Sequence, residues 1–452
     1  MSTTRRTMGA MSAIAAAGLV LAACGGTPEG GPGDAGDPGG ENGGVDVPAD
    51  AVEVTFWQTQ YTDEENEWYE AVVEEFNDAQ DEIFVNHTIV PGDAWDQRMT
   101  AAQAAGNQPD LRTMNYGDIS DAARTGQITS VADLIDAAAW DDLEDNVREM
   151  VTYQEQEYAY PLLVEPSAVL YYRTDLFEEA GLDGPPASWD ELVDYADQLT
   201  DDTTFGLRLA QDAGDMAWST WGYQWNVAGH LPISDDWSEP QATEDYAPLL
   251  QAFQDMFESG AIPPADGVGY PDASPFGEGR YAMMANGSWA ASQLLADYPD
   301  IVDDVAVAAM PSFSGQPGET TATLGGWTLV VDGASDVPEE AAAFIEWALG
   351  GDVDVLVPFF EATVFSKVSP RISVAEAIAE HPDVDDINPW NVVIQEDIVP
   401  YAEAEPQYPW GISLALGEAI ELAMQGTPVD EALEYANSEI QTEIDNADLA
   451  GS

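Results

Sequence analysis

"AVEVTFWQTQYTDEENEWYEAVVEEFNDAQDEIFVNHTIV", residues 51–90, decides the fold. "AVEVTFW" (51–57) alternates as a β-strand does, with Val52, Val54 and Phe56 on one face. In "DEENEWYEAVVEEFNDAQ" (63–80), Trp68, Val72 and Phe76 recur four apart, beside Tyr69 and Val73. That spacing gathers the apolar side chains into one helical stripe and turns the acids to water. "EIFVNHTIV" (82–90) is a second strand, "AWDQRMTAAQAAG" (94–106) a second helix ending at Gly106, and "PDLRTMN" (109–115) a third strand. The order β-α-β-α-β predicts an open α/β sheet. Ligands of such sheets bind beyond the carboxyl ends of the strands. Here those ends are Trp57-Gln58 and Asn115 to Asp118, which would present an aromatic ring and polar groups on one rim. A core position for Trp57 competes with this, and the rise in polarity at "QTQY" (58–61) tips it to the rim.

Upstream of the strand, Arg5 and Arg6 precede the apolar run "MGAMSAIAAAGLVLAA" (8–23), which ends at Cys24, the single cysteine of the 452-residue chain. This is the layout of an export signal, too short and alanine-rich for a stable membrane span. One cysteine makes no intramolecular disulfide and no cysteine-based metal site. "LAAC" (21–24) resembles the lipobox of prokaryotic lipoproteins, in which the cysteine is lipidated and becomes the first mature residue. An ordinary signal with an incidental cysteine is the plainer alternative. "TRRTMGA" is a partial match to a twin-arginine signal. The glycine-rich stretch that follows has too little apolar surface to fold and reads as a tether. Its "GPGDAG" (31–36) matches G-x-G-x-x-G by letter only, since no strand precedes it and no helix follows.

Eleven basic residues face 85 acidic ones, Lys367 is the only lysine, and the formal net charge is −74. Nucleic acid is thereby excluded as a partner, because binding phosphates needs clustered cations. Hydrophobic residues make up 45% of the chain and the acids are spread throughout, so this is a globular body with an acidic skin. Such a skin repels itself until salt screens it, and at 1 M the Debye length is only about 3 Å. Adaptation to molar salt is the expectation. A calcium-loaded surface is the rival, but "DVDDIN" (383–388), the nearest approach to a calcium loop, lacks the glycine.

Further along, "LFEEAGLDGPPASWDELVDYADQLT" (176–200) reads as a helix, a turn, and a second helix capped by Ser188. Trp218, Trp221 and Trp225 are three and four apart, which would align them on one helical face as a core stripe or a stacking platform. "PLLQAFQDMFESGAIPP" (248–264) is another helix and its exit.

In this order the segments resemble the family 1 extracellular solute-binding proteins of ABC importers, the group that includes maltose-binding protein. The matching pieces run from about Val52 to about Ile444: "VTFWQ", "AAGNQPDLRTMNYGD", "YAYPLLVEPSAVLYYRTDLFEEAGL", "PPASWDELVDYADQLT", "FGEGRYAMMANGSW", "LGGWTLVV", "PEEAAAFIEWAL", "SPR" and "GTPVDEALEYANSEI". The resemblance implies a two-lobed, type II-like α/β fold, each lobe a mixed sheet flanked by helices, with the ligand cleft between them. It implies a signal peptide over 1–23, a lipid-anchored linker over 24–50, and a first lobe from 51–164 and 309–368. The second lobe would take 165–308 and the C-terminal helices of 369–452. Chain crossings are expected near Leu163–Ser167, Ala308–Thr323 and Lys367–Arg371.

Carried over residue by residue, the resemblance places Trp57, Gln58, Tyr116 and Asp118 on the first-lobe rim and Glu165 at the first crossing. Trp221, Trp225, Asn286 and Trp289 would belong to the second lobe, Gly326 and Trp327 to the returning segment, and Trp410 to a late helix. Arg173 departs from the family, which usually has asparagine there. The implied function is capture of a neutral sugar or oligosaccharide, handed to a membrane permease powered by a separate ATPase, by a monomer lipid-anchored at Cys24. No cofactor and no metal are implied.

The residue types suit that guest. Aromatic rings cover the C–H faces of a sugar, each burying roughly 150–250 Å². Acids and amides read its hydroxyls, and one left unpaired costs about 1–3 kcal/mol. The scarcity of cations argues against phosphate, sulfate or carboxylate, and Arg280 and Arg371 read as structural ion-pair members. Asn86 and Asn286 head glycosylation sequons, with Asn86 the better candidate because Asn286 is expected to face the cleft. An exported carbohydrate-active enzyme would use the same tryptophans plus a carboxylate pair about 5–9.5 Å apart. A lipid-anchored structural protein would need no cleft. G-x-S-x-G and H-E-x-x-H are missing, and His87, His230 and His381 are far apart in sequence.

Overall fold

The computed structural model describes residue 48 and residues 50–449, apart from 265 and 266. The expected signal peptide, the lipidation site Cys24 and nearly all of the tether lie outside these residues.

Val52–Thr59 buries Val54, Phe56 and Gln58 on one face, as its alternation demands. It pairs in parallel with Ile83–Val90 on one side and Leu111–Asn115 on the other. Trp327–Val331 then joins antiparallel, with Trp327 directly opposite Asn115, and Ala159–Pro161 closes the five-stranded sheet. The helix Asp63–Ala79 crosses between the first two strands. Thr62 and Glu65 cap each other's backbone at its start, and Trp68, Tyr69, Val72, Val73 and Phe76 face the sheet.

A second core forms around a four-stranded sheet in the order Val305–Ala309, Val169–Arg173, Tyr281–Asn286, Phe205–Arg208. Tyr281–Asn286 and Phe205–Arg208 run parallel, so their carboxyl ends share one edge. The helix Trp410–Met424 packs into this core through Ile412, Leu416 and Ile420. Between the two cores lies a small sheet in which Thr323–Gly325 is antiparallel to Glu165–Pro166 and parallel to Glu403–Ala404. This is the two-lobed α/β architecture.

The cores divide the chain somewhat differently from the expected boundaries. Met310 and Ala322 are buried in the second core, with Phe313 stacked on Trp189 at 4.6 Å. The second crossing is therefore the Thr323–Gly325 strand itself. Val374 is buried in the first core, and Ile378 and Ile387 pack against it. The third crossing thus falls between Ile387 and Trp390, which belongs to the second core. Arg371 fastens the Ile372–Ala379 helix to the first core, donating to Asp142 at 2.8 Å and to the carbonyls of Leu349 and Gly351. An ion pair with Glu278 holds Arg280, and Arg173 pairs with Asp175 at 2.7 Å.

The tryptophan stripe is broken. Helices Ala213–Ser219 and Trp221–Ala228 meet at Thr220, whose hydroxyl bonds back to Met216 at 2.7 Å. The break sends Trp218 toward Tyr270 and Trp289, and Trp221 inward to Ser413. Gly222 lets the second helix press on the chain: a Cβ there would sit 2.5 Å from the Ala322 backbone.

Candidate functional site

A cleft of about 400 Å³ opens where the first sheet's rim meets the start of the Trp410–Met424 helix. Thr59 reaches it from the end of the first strand and Asn115, Gly117 and Asp118 from the end of the third. Trp95 and Met99 come from the helix Gly92–Ala105, and Trp327 from the antiparallel strand. Tyr408, Pro409 and Trp410 form the side belonging to the second core. Three indoles thus line one space.

Their supports are local. Tyr61 meets Trp327 edge-on with ring centroids 5.0 Å apart. The Asn115 side chain accepts the Asp118 N–H at 3.1 Å and shapes the rim loop. Tyr116 is fully buried beneath it and donates to the Leu163 carbonyl at 3.1 Å. Gly326 is in the left-handed region at φ 135°, and a Cβ would lie 2.7 Å from Leu163. Pro409 opens the late helix and leaves the Trp410 side chain 44% exposed. Arg112, a cation lining the cleft, is committed to Asp332 and to the Gln127 carbonyl. The nearby Arg124 is paired with Asp121.

Asp118, Trp327 and Trp410 therefore share the cleft, with Tyr116 and Gly326 as its footing. Trp57 and Gln58 go elsewhere. Trp57 lies on the sheet face opposite Phe56, with the Arg98 guanidinium 4.3 Å above its ring. Gln58 is fully buried, donating to Asn66 at 2.8 Å and bonded through its Oε1 to His87 Nε2 at 2.8 Å. Burial pushes His87 down to about 4, so at neutral pH its Nε2–H donates to Gln58. Asn66 passes the chain on to the Tyr61 backbone. Gln58 thereby fixes the segment carrying Tyr61 from inside the lobe.

Glu165 is also turned inward. Its carboxylate accepts from Lys367 at 2.9 Å, and the same ammonium lies 3.4 Å from Glu65. Burial alone would lower the Lys367 pKa, but the two carboxylates outweigh it and hold the amine charged, above its ordinary value.

On the second core, Trp221 is buried and donates to Ser413 at 2.9 Å, while Trp225 is half-buried. Asn286 is fully buried, donating to the Tyr270 and Pro271 carbonyls and accepting from Gly287 N–H. Its sequon is thus closed off in the folded body. That of Asn86 sits within an edge strand, its amide bonded to Glu53 at 2.8 Å. Trp289 donates to the Pro271 carbonyl at 3.1 Å and clusters with Trp218 and Tyr270. Asp215 accepts the Tyr270 N–H beside this cluster, and burial with neighbouring Asp212 pushes its carboxyl up to about 6. This second aromatic and acidic surface lies at the carboxyl ends of the two parallel strands.

Sequence reasoning missed Trp95, Thr59 and Tyr408. Trp95 follows the carboxyl end of the second strand within five residues, so the strand-end rule applied to Trp57 reaches it too. Among the described residues, no group of three or more His, Cys, Asp or Glu side chains could hold a metal ion, and no helix is long and apolar enough to cross a membrane.

The family model of the bacterial extracellular solute-binding proteins matches residues 61–353. The chain belongs to this family. A mannitol-binding protein of Pseudomonas aeruginosa is 25% identical over 289 residues, which cover 60% of this chain and 64% of that relative. The match thus spans under two thirds of the relative's length. Among solved structures, the cyclic alpha-maltosyl-1,6-maltose binding protein of Arthrobacter globiformis is 25% identical, with a TM-score of 0.70 over 88% of this chain and all of that one. An ABC transporter solute binding protein of Agrobacterium vitis, solved with D-mannitol, is 25% identical with a TM-score of 0.70, covering 88% and 99%. The family is extracellular by description, and these relatives are binding proteins.

Proposed function

We propose that the chain captures a neutral sugar or oligosaccharide outside the cell, without chemically altering it, and delivers it to the membrane permease of an ABC importer. The observation that carries this reading is the cleft with Trp95, Trp327 and Trp410 contributed from both cores. Flat rings on several sides suit the faces of a pyranose or the carbon chain of a polyol. Asn115, Asp118, Thr59 and Gln103 line the same space and match hydroxyl edges. The commitment of Arg112 to Asp332 leaves it poorly placed to recognise phosphate. The relatives' ligands, a maltosyl-maltose and mannitol, are of the proposed kind.

Calorimetric titration in molar salt with maltose, the cyclic maltosyl-maltose and D-mannitol tests it. Binding of at least one is expected, with the sugar recovered intact. Trp410→Ala should weaken that binding by about 10–30-fold, the effect of removing a central aromatic anchor. Shortened sugar products would instead mark an enzyme, and an unchanged affinity would remove Trp410 from the site.

The signal-like, lipobox-like and tether-like stretches read in the sequence support anchorage at the outer face of the membrane through Cys24, and a monomer is proposed beside it. Labelled palmitate should enter the wild-type chain in cells and not Cys24→Ser; equal labelling would refute the anchor.

A further inference from the structure

The segment Glu403–Gln407 leaves the second core and lies along the first lobe's rim. Glu403–Ala404 runs beside Thr323–Gly325, and the Glu405 N–H donates to the Leu324 carbonyl at 3.0 Å. Gln407 then bonds to Ser120 and donates to the Met150 carbonyl at 2.5 Å, both in the first lobe. Two glycines permit the approach. A Cβ on Gly325 would lie 2.5 Å from the Glu405 carboxyl carbon, and one on Gly117 would lie 3.2 Å from the Pro406 carbonyl. Gly117 belongs to the rim loop Asn115–Asp118, which lines the cleft. The segment is a strap from one lobe seated on the guest-facing loop of the other.

Glu405 sits at its centre in an unfavourable setting for a charge. Its Oε2 is buried with no hydrogen-bond partner among the described residues. The Gly117 N–H favours the carboxylate, but Asp118 of the rim and Glu165 of the small sheet between the cores act against it. The neighbouring phenol of Tyr116 is neutral, its pKa raised by burial and by Glu405 itself. Lys367, the partner of Glu165, is engaged by Glu165 and Glu65. A half-buried carboxylate whose Oε2 is closed off from solvent, facing two others without its own cation, is costly.

We propose that Glu405 is a positioning residue for the cleft: as the neutral acid it lets the strap seat on Gly117 and hold Asn115–Asp118 for the guest, and as the carboxylate it repels Asp118 and loosens that loop. The proposal rests on reading the cleft as the guest's site. Burial first, and Asp118 next, push the Glu405 carboxyl up to about 8. A raised carboxyl pKa means that the seated arrangement binds the proton more tightly than the loose one. Seating is therefore strongest at or below the ordinary carboxylate range, weakens as pH rises toward about 8, and changes little above it. The steepest dependence allowed is about tenfold per pH unit.

Hydrogen exchange of the Gly117–Ser120 amides in the ligand-free protein, in molar salt and corrected for the intrinsic effect of pH, tests the strap without a ligand. In the wild type, protection should fall by about tenfold or more between pH 6 and 8.5. Glu405→Gln should flatten the profile near the wild-type level at pH 6, and Asp118→Asn should reduce the slope. A wild-type slope retained in Glu405→Gln, or a flat wild-type profile, overturns the proposal. Maltose and D-mannitol affinities measured over the same range should follow the exchange profile in the wild type and not in Glu405→Gln. The predicted exchange profile together with no binding of any sugar at any pH would support the strap and overturn the cleft reading.

Discussion

Lys367→Met is expected to destabilise the folded body by about 3–5 kcal/mol, measured by urea unfolding in molar salt. The only lysine in the chain is not on the surface: its side chain is 5% exposed and lies between Glu165 and Glu65. The methionine would leave two carboxylates buried together without a counter-ion, and either ionised repulsion or forced protonation costs free energy. Glu165 belongs to the small sheet between the cores, while Glu65 caps the helix Asp63–Ala79 through the Thr62 N–H. Loss of the lysine should therefore loosen that sheet and the start of the helix together. Lys367→Met combined with Glu165→Gln should recover part of the loss, because removing both partners costs less than stranding one. A loss under about 1 kcal/mol in the single variant would show that this ion pair contributes little to the fold.

Dialysis from molar salt into dilute buffer should unfold the body, visible as loss of the cooperative thermal transition. Of the few cations, Lys367, Arg112, Arg208 and Arg371 are buried, so they cannot offset the acidic skin from outside. Along Asp63–Ala79 the solvent face carries Glu64, Glu67, Glu70, Glu74 and Glu75. Lowering salt from 1 M to 0.01 M lengthens the Debye length from about 3 Å to about 30 Å, so acids on neighbouring elements begin to repel each other. An unchanged transition in dilute buffer would sink the assignment to molar salt.

The parts of the fold that rest on local periodicity were readable from the chain. Val54 and Phe56 set the first strand, Trp68, Val72 and Phe76 the first helix, and the β-α-β-α-β order the sheet. The rim was readable only in part, because a strand end gives a height and not a face. Phe56 points into the core, so the period of two puts Gln58 beside it inside and Trp57 on the opposite face, and neither the strand-end position nor the polarity of 58–61 distinguishes those faces. Glu165 shows a different gap. Its partner Lys367 is 202 positions away, and no local pattern reveals such a pairing. Helical spacing of Trp218, Trp221 and Trp225 failed at Thr220, where one helix stops and another begins. Glu405 gave no signal among 85 acids, since only its close approach to Gly117 and Gly325 sets it apart.

The measurement that bears most directly on the account is small-angle X-ray scattering of the protein in molar salt, with and without maltose or D-mannitol, alongside calorimetry of the same samples. The account predicts saturable binding of at least one sugar, accompanied by a decrease in the radius of gyration as the lobes close around it. Absence of binding, or binding that Trp95→Ala, Trp327→Ala and Trp410→Ala all leave unchanged, would contradict it.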